Sequence, residues 1–344
     1  MTDRQPLRFK GAPGSPYTRK MLALLRYRHL PYEFLIGHQA DAAELPKPRV
    51  PLLPTFYLPN ASGELEAVVD STPLIRRFEA EFDRRGVLPP DPVMNFLDFL
   101  LEDYADEWLT RAMFHYRWSF RADIDKSARI LPLWRDLTMS DAGHAEAARI
   151  FAERQISRLH VVGSSEVTAP VIEASYERFL ALMETLLAGQ PFLLGDRPGS
   201  ADFGVYAQLT QLAKFDPTPM ALCLERAPRT FAWVDVMDDL SGLPDDEAAW
   251  LPRDRARAVL GGLLMEVGRV HAPSLLANAR ALEAGESDWE TTIDGRRWTQ
   301  PVFPYQGKCL AWLRERFAGL SPDDAAAARS ILADTGCEAL FEGL

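Results

Sequence analysis

The chain has 344 residues, of which 47% are hydrophobic and 25% charged, as in an ordinary globular protein with room for two domains and an added segment. A formal net charge of −11, with no basic cluster to offset it, excludes a nucleic-acid surface, and no apolar run reaches the roughly 18 residues of a membrane span. The N-terminus is polar with no signal-peptide pattern, and Cys223, Cys309 and Cys337 are too scattered for a disulfide framework or a zinc set, so a reduced, cytoplasmic setting is expected.

Leu7 to Lys10 reads as a strand that runs into the turn Gly11-Ala12-Pro13-Gly14. Ser15 is a natural N-cap and Pro16 suits the first helical position, with Met21, Leu22, Leu24 and Leu25 as the buried face. Such a helix start presents backbone N–H groups and the positive end of a dipole beside Ser15, where a thiolate or carboxylate is stabilised. Tyr32 to Ile36 reads as a second strand, which makes a β-α-β unit with a right-handed crossover. Gly37 to Val50 is polar and irregular, interrupted by Pro46 and Pro48. Thr55 to Leu58 is a third strand with Pro54 directly before it, and Leu65 to Val69 a fourth, after the hairpin loop Pro59 to Gly63. Asp70-Ser71-Thr72-Pro73 then opens another helix.

Ser15-Pro16-Tyr17-Thr18 stands where thioredoxin-like folds carry C-x-x-C, with neither cysteine kept. The ordered set S-P-Y-T, L-P-T and D-S, with β-α-β-β-α between them, resembles the glutathione transferase family. The resemblance implies that Ser15 faces the sulfur of glutathione, with Tyr17 as a possible substitute donor. It implies a cis bond between Leu53 and Pro54, with Pro51 as the rival position, and a Leu53 backbone that pairs with an extended peptide ligand. It also implies that Asp70 meets the ligand's ammonium, while Ser71 and the N–H groups of its helix take the carboxylate. Read without the family, Ser15 is a helix cap.

Residues 82–91 form a linker, and Asp91-Pro92 opens a long helix in which Phe96, Leu100, Tyr104 and Trp108 recur every four residues. At helical spacing such a stripe reads as core, whereas the family places this helix along the acceptor-substrate pocket. Residues 121–165 are charged and helical in parts. Ile172, Tyr176, Phe179, Leu180, Met183, Leu186 and Leu187 mark a further helix that ends at Gly189. Phe192-Leu193-Leu194-Gly195-Asp196, followed by Ala201-Asp202, resembles the family's F-L-x-G-D and the capping box of its central helix. Here the cap falls on Gly199, so half of the reciprocal box is missing, and Asp202 reads as structural. Phe215 to Pro219 reads as a loop, and a helix around Phe231, Val234 and Met237 closes the transferase-like part.

Beyond it, helical patterns over 255–270 and 274–284 precede a hairpin around Asp294-Gly295 and a helix through Leu310, Trp312, Leu313 and Phe317. Cys309, beside that helix, reads as a small buried residue and not a nucleophile. The expected organisation is α/β plus all-α: a thioredoxin-like domain over 1–84, a transferase-like helical domain over 91–243 and a mostly helical extension over 244–344. The resemblance further implies a homodimer that takes glutathione as co-substrate and joins its thiolate, with help from Ser15, to a small apolar electrophile. No Cys stands at 15 or 18, which argues against thiol–disulfide chemistry. The alternative is a non-catalytic binding or interaction protein that keeps the fold.

Overall fold

The computed structural model describes residues 5–37, 44–244 and 250–343. Its N-terminal part is a four-stranded sheet of β1 (Leu7–Lys10), β2 (Tyr32–Leu35), β3 (Thr55–Pro59) and β4 (Leu65–Val69), in the order β2-β1-β3-β4. β1 and β2 run parallel with Phe9 opposite Phe34, while β3 is antiparallel to β1 and to β4. This register stacks Phe9 on Phe34 at 5.0 Å and on Phe56 at 4.6 Å, and Phe56 in turn meets Phe78 of a helix edge-on at 5.5 Å. Among the described residues, the helices on this domain are α1 (Pro16–Tyr27) and α2 (Ser71–Glu81). Of the irregular stretch expected between Gly37 and Val50, residues 38–43 lie outside the described residues, and 44–50 carry no helix or strand.

The helical part comprises α3 (Pro92–Tyr104), a π-helical turn Ala105–Leu109, α4 (Thr110–Ser119), α5 (Arg121–Ile130), α6 (Asp141–Ile156), α7 (Ala169–Leu187), α8 (Ser200–Leu212), α9 (Pro217–Arg226) and α10 (Pro228–Asp238). Of the loop expected over Phe215 to Pro219, Phe215 and Asp216 do form a turn, but Pro217 to Pro219 open α9. Pro217 is its first residue and Pro219 lies in the same turn, where a missing N–H breaks no intrahelical bond. Helix α8 is buried almost all round, and α1 packs between it and the sheet. Five consecutive apolar residues, Met21 to Leu25, let α1 meet both neighbours.

The extension consists of α11 (Ala256–Glu266), a second π-helical turn Val267–His271, α12 (Ala272–Ala284), the hairpin β5 (Asp288–Ile293) and β6 (Arg296–Pro301), α13 (Pro304–Ala318) and α14 (Pro322–Leu332). It is built into the core and not appended to it. Phe96 of α3 meets Phe317 at 5.4 Å and Phe341 at 5.2 Å, and Trp108 meets Trp298 at 5.5 Å. The Arg111 guanidinium lies against both tryptophan rings and donates to Gln306 Oε1 at 3.0 Å. The aromatic stripe that the family places beside an acceptor pocket is therefore core here, shared with the extension. Among the described residues no helix is long and apolar enough to cross a membrane.

Candidate active site

At the start of α1, Ser15 has extended backbone angles and its Oγ accepts the Thr18 N–H at 3.3 Å. The hydroxyl proton remains for donation. Its acceptor is the Leu53 carbonyl at 3.4 Å, long for an O–H···O bond and so readily exchanged for a better one. The bond between Leu53 and Pro54 is cis. The fold thus brings Ser15 and the Leu53-Pro54 pair together from positions far apart in the chain. Thr18 also fixes the preceding turn, because its Oγ1 accepts the Ala12 N–H at 3.3 Å.

A wall of apolar groups stands beside this turn. A Cβ on Gly14 would lie 2.5 Å from both Leu131 Cδ2 and Trp134 Cζ3, so only glycine lets the segment after α5 close over it. Tyr17 points elsewhere. Its hydroxyl donates to the Asp106 carbonyl at 2.8 Å, and burial together with the Glu107 and Asp106 carboxylates raises its pKa.

At the start of α2, Asp70 has φ of 84°, a conformation that costs a non-glycine residue on the order of 1–3 kcal/mol. One carboxylate oxygen accepts the Thr72 N–H at 3.3 Å and caps the helix. The other accepts the Tyr305 hydroxyl at 2.9 Å. Burial raises the Asp70 pKa, despite this hydrogen bond and Lys20. Ser71, the first residue of the helix, is buried.

Beneath both helix starts lies a buried ionic cluster. Lys20 Nζ donates to Glu102 Oε1 at 2.7 Å and to Asp106 Oδ2 at 2.5 Å, and Thr72 Oγ1 lies 3.1 and 3.3 Å from the same two oxygens, its single proton serving one of them at a time. Arg76 pairs with the remaining Glu102 oxygen. Burial works against every charge here. Arg76 and Lys20 outweigh it at Glu102 and hold that carboxyl below its ordinary value, whereas at Asp106 burial prevails over Lys20 and raises the carboxyl. The π-helical turn aims Asp106 into this cluster while its carbonyl meets Tyr17, a use typical of such a bulge. The cluster ties α1, α2 and α3 together and so holds the Ser15 and Ser71 helix starts on one scaffold.

The central helix α8 is capped by two carboxylates. Asp202 Oδ2 accepts the Gly199 N–H at 2.9 Å and Oδ1 the Leu193 N–H at 2.8 Å, the half-box expected from sequence. The other half comes from α3, where Asp98 Oδ1 accepts the Ala201 N–H at 2.9 Å. All three cysteines are free and buried, and burial raises the Cys309 thiol, which makes it a poor nucleophile. Among the described residues no group of His, Cys, Asp and Glu could hold a metal ion.

Sequence reasoning missed Tyr305, Lys20 and the carboxylates of α3 and of the π-helical turn after it. The first has no local signal. The others do: Asp98, Glu102 and Asp106 recur every four residues beside an apolar stripe, and Lys20 adjoins a run too apolar to leave it solvated.

Comparison with known proteins gives a consistent family. The model of the glutathione S-transferase N-terminal domain matches residues 10–86, and that of the C-terminal domain matches residues 141–235. Among solved structures, the chain is similar to a glutathione transferase family member from Pseudomonas fluorescens Pf-5, solved with two glutathione bound. Identity is 12%, with 69% of this chain and 89% of that chain covered and a TM-score of 0.44. It is similar to the beta-etherase LigF from Sphingobium sp. strain SYK-6 at 18% identity, covering 68% and 95%, with a TM-score of 0.46. A glutathione S-transferase from Rhodospirillum rubrum F11 gives 18%, 73% and 98%, with a TM-score of 0.41. No curated protein sequence matches the chain.

Proposed function

The chain belongs to the glutathione S-transferase family, whose two domain models together span half of it, and from that premise we propose that it binds glutathione and activates the thiol at Ser15. One observation carries this reading. The Ser15 oxygen accepts the Thr18 N–H, and its proton goes only to a long contact with the Leu53 carbonyl, which a ligand sulfur at this helix N-terminus can replace. A sulfur placed there loses its proton to water, and the thiolate is held by the Ser15 hydroxyl and the positive helix end. The thiolate then attacks an electrophilic carbon: an S–C bond forms, and the displaced electron pair leaves with the departing group or moves into the acceptor's conjugated system. Leu131 and Trp134, packed over Gly14, support an apolar acceptor. Asp70 is the partner for the ligand's ammonium, and Ser71 with the N–H groups of α2 for its carboxylate. Tyr17 is committed to the Asp106 carbonyl, which favours Ser15 as the donor. A homodimer in the cytoplasm is part of the same reading.

A second reading, a non-catalytic binding or interaction protein that keeps the fold, is favoured by one observation: Asp70 is already engaged by Tyr305. Capture on immobilised glutathione, followed by assay with a generic electrophile, separates the two. Binding with turnover that falls about ten- to a thousand-fold in Ser15→Ala supports the first. Binding without turnover, or no binding at all, removes the first and supports the second.

A further inference from the structure

Tyr305 lies in the first turn of α13, 235 residues from Asp70, yet its hydroxyl donates to Asp70 Oδ2 at 2.9 Å. Its ring is tilted against Phe303 at 6.2 Å and edge-on to Trp312 at 6.3 Å, so the extension itself orients the phenol. Both donors on the Asp70 carboxylate, the Thr72 N–H and the Tyr305 O–H, are neutral. The Thr72 bond is the helix cap and stays with any ligand. The Tyr305 bond is the exchangeable one, since a neutral phenol yields to a full positive charge on the same oxygen.

We propose that Tyr305 is a specificity-determining residue of the ligand site, whose hydroxyl occupies the position on Asp70 taken by the ammonium of a γ-glutamyl peptide. This rests on the reading of the site as a glutathione site. The ligand-free chain is then mostly in a form with the ammonium position filled from within, and the measured affinity is the intrinsic one multiplied by the fraction in which Tyr305 has let go. A peptide without the ammonium binds with Tyr305 still in place and does not sense it. The extension thereby sets how strongly the site distinguishes ligands by their amino group.

The test is calorimetric titration of the full chain with glutathione and with its deaminated analogue, glutaryl-cysteinyl-glycine. Tyr305→Phe keeps the ring and its contacts with Phe303 and Trp312 and removes only the hydroxyl. It is expected to bind glutathione about three- to thirtyfold more tightly, with affinity for the analogue unchanged. On an Asp70→Asn background the same substitution should give no gain, because the shared carboxylate is gone. If wild type binds glutathione and Tyr305→Phe binds it equally or more weakly, the hydroxyl is not a competitor and the proposal is overturned while the glutathione reading stands. A gain that persists on the Asp70→Asn background overturns it as well. If no variant binds glutathione, the reading of the site falls and the proposal with it.

Discussion

The carboxylate of Asp98 caps a helix to which it does not belong. Its Oδ1 accepts the Ala201 N–H at 2.9 Å, and a Cβ added to Gly199 would lie 2.5 Å from that oxygen. The glycine at the cap is therefore the space through which α3 reaches the start of α8, and the cap is shared between helices instead of being incomplete.

Gly199→Ser, ordinarily an improvement at an N-cap, is expected to destabilise this protein. The new side chain must displace a buried carboxylate from Ala201 and Ser200, at a cost of about 1–3 kcal/mol. A lower urea midpoint with an unchanged slope is the expected result.

Asp98 also gives the protein a pH dependence. Ser200 Oγ lies 2.5 Å from Asp98 Oδ2 and 2.7 Å from Glu102 Oε2, and its single proton serves only one carboxylate as donor. The second contact is favourable when Asp98 holds a proton of its own. Burial and the neighbouring Glu102 raise its carboxyl from 3.8 to about 7. Between those values the folded chain keeps a proton that the unfolded chain has lost. This contribution to stability is fully present below the unfolded value and is lost as pH rises towards 7, by up to about 1.4 kcal/mol per unit. Asp98→Asn, which still accepts from Ala201, should remove that slope. Urea unfolding of both chains from pH 5 to 8 checks it, with the variant gaining on wild type as pH rises.

Lys20→Met should be among the most damaging single changes. Lys20 is fully buried, and its loss leaves Glu102 with Arg76 but takes the cation from Asp106. A cost of about 3–5 kcal/mol is expected, the usual result of breaking a buried pair from one side. A second substitution, Asp106→Asn, should recover part of it, and thermal unfolding of the single and double variants measures the recovery.

Tyr17→Phe and Ser15→Ala should separate cleanly. The first loses a hydrogen bond to the Asp106 carbonyl, about 1 kcal/mol of stability, and leaves the ionisation of bound thiol unchanged. The second loses a cap, at a similar cost, and shifts the pH–rate profile to higher pH. A shift in the Tyr17 variant alone would move the donor two residues along the chain.

Much of this molecule was legible where chemistry is local. Ser15 and Pro16, Pro54 before its strand, and Asp70 before Ser71 each impose a backbone geometry on their immediate neighbours, and so does Asp294-Gly295 in its turn, with φ of 48° and 73°. Pro217 misled for the same reason, because proline marks both a loop and a helix start and only packing decides between them. The carboxylates of α3 had a readable spacing but no readable partners. Lys20, Arg76 and Ser200 come from three other helices, and which of them meet is a property of the assembled core. Tyr305 was beyond reach of any local rule.

The contact between Asp70 and Tyr305 also orders events in time. At about 5–20 residues per second, the ribosome releases Asp70 some tens of seconds before Tyr305. A thioredoxin-like domain that folds as it emerges completes both helix starts early, and for that interval it presents Asp70 to the surrounding medium with no phenol on it. On the proposed role of Tyr305, the Asp70 carboxylate of such a domain has no internal competitor until the segment that opens α13 has been made.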